Sequence, residues 1–258
     1  MKKILFSVLL AFMTLSCGNN FVSPSSYTKE QIDKKYPYWK VGVENFFIYV
    51  NTNKDEYIEL TVAEKRRFLQ SLALMRVAIN SDEFVEIMNR DKDNFQVDVD
   101  IQDAKAAVKC NTGDPFNMDR LIEVLRAVSY DVTYGKGDLK NEQAWAIGPN
   151  YYFYAYYGSG VELSAGKKIW SPNKYLVDWY GIETFSALMF HEHLHNIGFT
   201  HNNDTVYAMQ KTIGELMGRI TGGDLKDKYR KAYDELTAYY ITEYKHLLVS
   251  STIYTPSK

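Results

Sequence analysis

The chain has 258 residues, 46% of them hydrophobic and 15% aromatic, and its 30 basic and 32 acidic residues leave a formal charge of −2. This length and apolar content can build the hydrophobic core of one domain. The mild charge gives no reason to expect nucleic acid or an anionic membrane surface as a partner.

Residues 1–17 have the composition of an export signal. Lys2 and Lys3 precede an apolar run from Ile4 to Leu15, which is too short to span a bilayer as a stable helix. Cys17 follows Ser16, and this pair resembles the processing site of bacterial lipoproteins. The resemblance implies a signal peptide at 1–16 and a lipid on Cys17 that anchors the protein to the bacterial cell envelope. Simple cleavage, which would give a periplasmic or secreted protein, and an uncleaved anchor are the alternatives.

The segment after the signal predicts a tether and then one domain. Residues 17–38 are polar and contain Ser-Pro-Ser-Ser at 23–26, so we expect a linker there and a folded domain over 39–258. If Cys17 carries a lipid, Cys110 has no partner, and no disulfide holds the domain together. We expect a monomer that depends on its core.

The first half of the domain shows one strand and two helices. Val41–Val50 mixes β-branched and aromatic residues and predicts a strand. Thr61–Asn80 has helical spacing of apolar residues and begins with the capping-box pair Thr61 and Glu64. Asp114–Tyr130 repeats apolar residues at helical spacing and predicts a second helix.

An aromatic segment follows over Ala144–Trp170. Six aromatic residues between positions 151 and 157 lead to Gly158-Ser159-Gly160, which predicts a hairpin whose second strand begins at Val161. Lys168–Trp170 is a further short candidate strand.

Four of the five histidines lie between positions 191 and 201, on and just after a predicted helix from Ile182 to Ile197. His191 and His195 are four residues apart, so both imidazoles project from one helix face and can reach one metal ion. Glu192 is rotated by about 100° from His191 and can face the open side of that metal without being a ligand. Gly198 can end the helix at positive φ, and His201 can then approach as the third ligand.

The pattern His191-Glu192-x-x-His195-x-x-Gly198-x-x-His201 resembles the signature of the metzincin clan of zinc peptidases. Metzincins also have a methionine in a tight turn beneath the zinc, and Met209 stands at a matching distance. Asn202, after the third histidine, leaves the family within the clan open. Lys211 stands two residues after Met209, where some members have a tyrosine that stabilises the oxyanion; Tyr207 is nearby.

The resemblance implies a two-lobed α+β domain with a mixed twisted sheet, a backing helix and the active-site helix. The upper lobe would cover about 39–198 and the lower lobe about 199–258, ending in a long helix. An edge strand before the active-site helix would pair with extended substrate, and either a strand of the aromatic hairpin or Lys168–Trp170 is the candidate. For the lower lobe, spacing predicts a short helix over Thr212–Ile220 and a long one over Asp224–Leu248.

His193 cannot join the same zinc, because it points about 180° away from the direction shared by His191 and His195. We expect it to be a packed or hydrogen-bonded structural histidine.

The sequence therefore predicts an exported zinc endopeptidase that holds one catalytic zinc through His191, His195 and His201, with Glu192 as general base and a protein or peptide as substrate. One alternative keeps the peptidase but takes Glu215 as third ligand, as in gluzincins. The other is a non-catalytic surface-binding lipoprotein with a structural zinc.

Overall fold

The computed structural model describes residues 24–52, 54–95, 118–136, 146–147, 169–172, 181–196, 199 and 205–254, with the backbone alone at 146–147, 169–172, 195–196 and 254. Within them the protein is a mixed α+β structure. The α-helices are α1 (Lys29–Lys35), α2 (Val62–Asn80), α3 (Asp82–Arg90), α4 (Met118–Arg126), α5 (Ile182–Asn196), α6 (Thr205–Thr221) and α7 (Lys226–Glu243). The strands are β1 (Lys40–Asn51), β2 (Glu56–Ile58), β3 (Ser129–Tyr134), β4 (Ala146–Ile147), β5 (Ile169–Pro172) and β6 (Thr252–Tyr254).

The strands form one mixed sheet in the order β2-β1-β3-β5-β4, and β6 also pairs with β1. Strands β1, β3 and β5 run parallel, whereas β2 and β4 are antiparallel to their neighbours. The predicted strand over Val41–Val50 is confirmed, since β1 contains it and is the longest strand described. The prediction of Lys168–Trp170 as an edge is wrong, because β5 has β3 on one side and β4 on the other. Strand β4 is the described strand at that edge.

Helix α2 backs the sheet and runs through the core, as its sequence predicts. Thr61 Oγ1 accepts the Glu64 backbone N–H and the Glu64 carboxylate accepts the Thr61 N–H, so the predicted capping box is present. Phe68 on α2 stacks on Tyr134 of β3, with ring centroids 3.8 Å apart. The helix also packs against α5, which carries His191 and Glu192, and against α7.

Three predicted helices have different bounds. The helix expected over Asp114–Tyr130 is described from Met118 and ends at Arg126, because residues from Ser129 onward pair with β1 as strand β3. The short helix expected over Thr212–Ile220 is longer and begins at Thr205. The helix expected over Asp224–Leu248 ends at Glu243 and is followed by a 3₁₀ turn and by β6.

The predicted linker 17–38 is too long. Lys29–Lys35 form α1, which has a complete capping box at Thr28 and Gln31 and buries Ile32 completely. Arg76 of α2 donates to the Tyr36 carbonyl at 2.7 Å and to Asp33 at 2.6 Å, and its side chain is itself buried. The folded part of the described chain therefore includes α1.

The described residues share one hydrophobic core, which the predicted division into lobes at 198/199 would cut. Ile32, Trp39, Phe190, Met209 and Leu248 all belong to a single cluster of buried residues. Helix α6 packs on α2 and α5, α7 packs on α2 and α6, and β6 joins the sheet beside β1. The general α+β class is confirmed, and the division into an upper and a lower lobe stays a prediction.

No helix within the described ranges combines the length and the apolar character needed to cross a membrane. Cys17, Cys110 and the aromatic hairpin expected over 151–163 lie outside the described residues.

Candidate functional site

Helix α5 carries the first residues of the histidine motif. It begins at Ile182, as predicted, and ends at Asn196. Its apolar residues lie on several sides, and the buried ones include Phe185, Leu188, Met189, Phe190 and Leu194. Such a helix is held on most of its circumference, so its polar side chains have fixed surroundings. His191 and Glu192 are both buried, with 5% and 2% of their surfaces exposed.

The ring of His191 is held by helix α6. Its Nδ1 atom lies 2.8 Å from Oε1 of Gln210. A side-chain amide oxygen only accepts hydrogen bonds, so Nδ1 is the donor in this contact, and in the neutral ring Nε2 then carries the lone pair. Tyr207, one turn earlier on α6, places its ring 4.9 Å from that of His191. For the neutral imidazole, the tautomer that fits this contact is the one that can bind a metal through Nε2.

The α5–α6 pair is antiparallel and closely packed. His191 contacts Gln210, and one turn away a Cβ on Gly214 would lie 3.1 Å from the Cβ of Ala187. An open groove follows this seam and is lined by Glu183, Thr184, Ala187, Tyr207, Gln210, Lys211 and Gly214. The missing side chain at Gly214 therefore lets the backbones approach where the histidine is positioned.

Burial raises the pKa of the Glu192 carboxyl well above its ordinary value. The cause is loss of hydration, which penalises the charged form. A dication beside the carboxyl would oppose this shift by favouring the carboxylate. A buried carboxyl next to a held histidine has the environment in which enzymes keep a general base.

His193 lies in the core, as predicted. It is fully buried, its Nδ1 lies 2.8 Å from the Tyr130 hydroxyl, and its ring packs edge-on against Trp39 with centroids 5.6 Å apart. These partners belong to the sheet side of α5, away from Gln210 and α6. Its role as a hydrogen-bonded structural histidine is confirmed.

Met209 is buried, but it does not lie in a tight turn. It is the fifth residue of α6, which continues from Thr205 because no glycine or proline interrupts the chain before Gly214. The expected turn geometry at this residue is wrong. Because Met209 directly precedes Gln210, its burial helps to fix α6 beside the site, and its supporting role stays a prediction.

Glu215 is engaged with a different helix. Arg90 of α3 donates to both of its carboxylate oxygens, at 2.6 and 2.8 Å. These hydrogen bonds and the charge of Arg90 hold the pKa of Glu215 below its ordinary value. Glu215 is five residues after Gln210, hence about 140° round the helix and about 7.5 Å further along it. Glu215 therefore lies away from the part of α6 that contacts His191.

The remaining motif residues are not all described. His195 lies on α5 one turn after His191, but its side chain, Gly198 and His201 lie outside the described residues. Among the side chains that are described, no three His, Cys, Asp or Glu residues form a metal-binding group. The donor chemistry of His191 fits a zinc ligand, since the side chain is buried and Gln210 orients its ring through Nδ1.

Comparison with known proteins adds no relative. No protein-family model, no curated protein and no solved structure matches the chain.

Sequence reasoning missed Gln210 and Tyr207 as contacts of His191. Both are on another helix, beyond a connection that has no periodic pattern, so spacing could not predict their distance. The one available signal was the helical repeat through Val206, Met209, Ile213 and Leu216, which puts Gln210 at the margin of a buried stripe.

Proposed function

We propose that the protein is a zinc-dependent endopeptidase. The observation that carries the proposal is the pair His191–Glu192 on α5, in which a buried histidine has its Nδ1 fixed by Gln210 and is followed by a buried carboxyl. His191, His195 and His201 would hold the ion, which would act as a Lewis acid toward water and a peptide carbonyl.

Glu192 would do the proton transfers. It would accept a proton from the attacking water and deliver it to the leaving amine. Its burial supports this role, because a raised pKa brings a carboxyl nearer to the pH at which it must both take and give a proton.

The edge of the sheet would bind substrate backbone. Strand β4 is antiparallel to β5 and precedes α5 in the chain, so it is the described candidate for pairing with an extended peptide.

The setting we propose is the cell envelope, with a lipid on Cys17. Loss of fatty-acid labelling in Cys17→Ser would support this setting, and labelling that persists in the variant would contradict it.

Glu192→Gln separates catalysis from metal binding. The substitution keeps the shape of the side chain and removes the base, so kcat on any cleaved peptide should fall by about 10² to 10⁴ while one equivalent of zinc is retained. The measurement is cleavage of a diverse peptide library by protein lacking residues 1–16, with and without chelator. A variant that cleaves as fast as wild type would make the mechanism wrong.

The ligand set is tested on the same preparation. His201→Ala should sharply reduce zinc content, whereas Glu215→Ala should leave it near wild type because Glu215 is paired with Arg90. The reverse result would favour the gluzincin alternative. A protein that binds zinc and cleaves no peptide would favour the surface-binding lipoprotein.

A further inference from the structure

We infer that Gln210 is the positioning residue for the zinc ligand His191, and that α6 controls metal affinity through this one side chain. The inference rests on the proposed function, since it concerns the same metal site. It adds a residue outside the histidine motif, on a separate helix 19 positions along the chain from His191.

The contact has the geometry of a real hydrogen bond. Nδ1 and Oε1 are 2.8 Å apart, and the His191 side of the contact is buried. A neutral imidazole in water exchanges between two tautomers, and only the form with the proton on Nδ1 has a lone pair on Nε2. The Gln210 oxygen selects that form before any metal binds, so zinc binding does not have to supply the free energy of tautomer selection and ring orientation.

Both partners are held by packed helices. Residues on either side of Gln210 in the α6 stripe, Met209 and Ile213, are completely buried, and Gly214 packs one turn away against Ala187. An acceptor on a rigid helix fixes a ring more closely than an acceptor on a loop. The position of α6 relative to α5 is thereby linked to the direction of Nε2.

Gln210 also orients the ligand His191 without placing a charge beside it. An Asp or Glu in its place would accept the same proton, and its negative charge would add to the attraction for a dication. The glutamine therefore orients His191 without that added charge, and Gln210→Glu should preserve the orientation while binding zinc at least as tightly as wild type.

The first measurement needs no metal. In zinc-free protein, at a pH at which the ring is neutral, ¹⁵N NMR of His191 should show a protonated Nδ1 and an unprotonated Nε2. Gln210→Leu, which has no acceptor, should give mixed tautomers, and Gln210→Glu should restore the wild-type pattern. An unchanged tautomer in Gln210→Leu would overturn the inference.

The second measurement is the zinc dissociation constant, obtained by competition with a chelating indicator. Gln210→Leu should bind zinc about 10- to 100-fold more weakly than wild type, as expected when an outer hydrogen bond to a ligand is removed. Gln70→Leu, the same change at a part-exposed position of α2, is the matched control and should leave the constant unchanged.

The outcomes distinguish the inference from the function on which it rests. Wild type that binds zinc, together with Gln210→Leu that binds it equally well, would overturn the role of Gln210 alone. Wild type that binds no zinc would overturn the proposed function and this inference with it. Weakened binding in Gln210→Leu with an unchanged melting temperature of the zinc-free protein would support a positioning role over general destabilisation.

Discussion

Glu64 is a member of the capping box of α2 and an ion-pair partner at the same time. One carboxylate oxygen accepts the Thr61 N–H at 2.6 Å, and the other lies 2.5 Å from the ammonium of Lys136. Burial alone would raise the pKa of Glu64, but the hydrogen bond from Lys136 and those at Thr61 outweigh it and hold the pKa below its ordinary value of 4.5. The charged form of this side chain therefore stabilises the start of the central helix.

Glu64→Gln should lower stability in a pH-dependent way. Because the folded-state pKa lies below the unfolded-state value, the stabilisation is present above about pH 4.5 and is lost as the pH falls through the folded-state pKa. At pH 7 the free energy of unfolding of the variant should be roughly 1 to 3 kcal/mol lower than that of wild type, because a charge-assisted hydrogen bond is weakened. Urea denaturation from pH 7 to pH 3 measures this. A difference from wild type that grows on acidification would contradict the prediction.

At the scale of single residues, the sequence could predict contacts and directions that depend only on the geometry of one helix. The Thr61–Glu64 box and the opposite directions of His191 and His193 follow from helix geometry within a few residues, and the structure contains both. The hydrogen bond of His191 to Gln210 and that of Glu64 to Lys136 could not be predicted. Each of these bonds joins two segments whose distance depends on the fold. The same reason applies to Tyr130, which meets His193 only because β3 lies under α5.

At the scale of elements, the packing of α5 against α6 decides where the candidate site can form. Gly214 and Gly218 are one turn apart on α6, yet their surroundings differ. A Cβ on Gly214 would lie 3.1 Å from Ala187, whereas a Cβ on Gly218 would meet nothing within 4 Å. Alanine substitutions at the two glycines can therefore separate the effect of helix propensity from the effect of the close approach of α5 and α6.

Gly218→Ala should stabilise the protein by about 0.5 to 1 kcal/mol, because alanine loses less backbone entropy than glycine on forming a helix. Gly214→Ala should stabilise the protein by less than this, or should destabilise it, since α5 and α6 must move apart by a few tenths of an ångström. It should also weaken zinc binding, which Gly218→Ala should leave unchanged. Thermal unfolding and the zinc dissociation constant check both variants; equal gains in both would show that the approach is not tight.

Element types were more predictable than element ends. Thr61–Asn80 and the start of α5 at Ile182 match the structure because caps and apolar periods mark them. The helix predicted over Asp114–Tyr130 includes Ser129 and Tyr130, the first two residues of β3, because Val128 continues the helical spacing while pairing with β1 is a tertiary effect. Strand β6 has only three residues, too few for any period to appear.

At the scale of the whole molecule, α1 joins the first described residues to the last long helix. Lys35 and Tyr36 both bond to Glu235 of α7, and Ser25 N–H donates to Thr242 at 2.9 Å. Polar composition predicted a linker here because only Ile32 and Tyr36 mark the buried side of this short helix.

Ile32→Ala should test that packing. The side chain is completely buried, so its truncation should cost about 2 to 5 kcal/mol of unfolding free energy. Lys29→Ala is the control; its side chain is 63% exposed, and its ion pair with Asp33 contributes at most about 1 kcal/mol. Chemical denaturation of both variants is the measurement. Equal stability of Ile32→Ala and wild type would contradict the packing of α1 and would favour a linker at residues 29–35.

The pairing of β6 with β1 ties the order of folding to the order of synthesis. Thr252–Tyr254 lie beside Phe47–Tyr49, about two hundred positions earlier in the chain. A ribosome makes β1 early, but this partner emerges after every helix described here, so this three-residue part of β1 lacks its partner until synthesis has passed Tyr254. The helical pair α5–α6, whose contacts span far fewer residues, can form sooner. A nascent chain would thus hold its histidine helix in place before its sheet is complete, and a chain cut short before Thr252 would keep an exposed strand that invites aggregation.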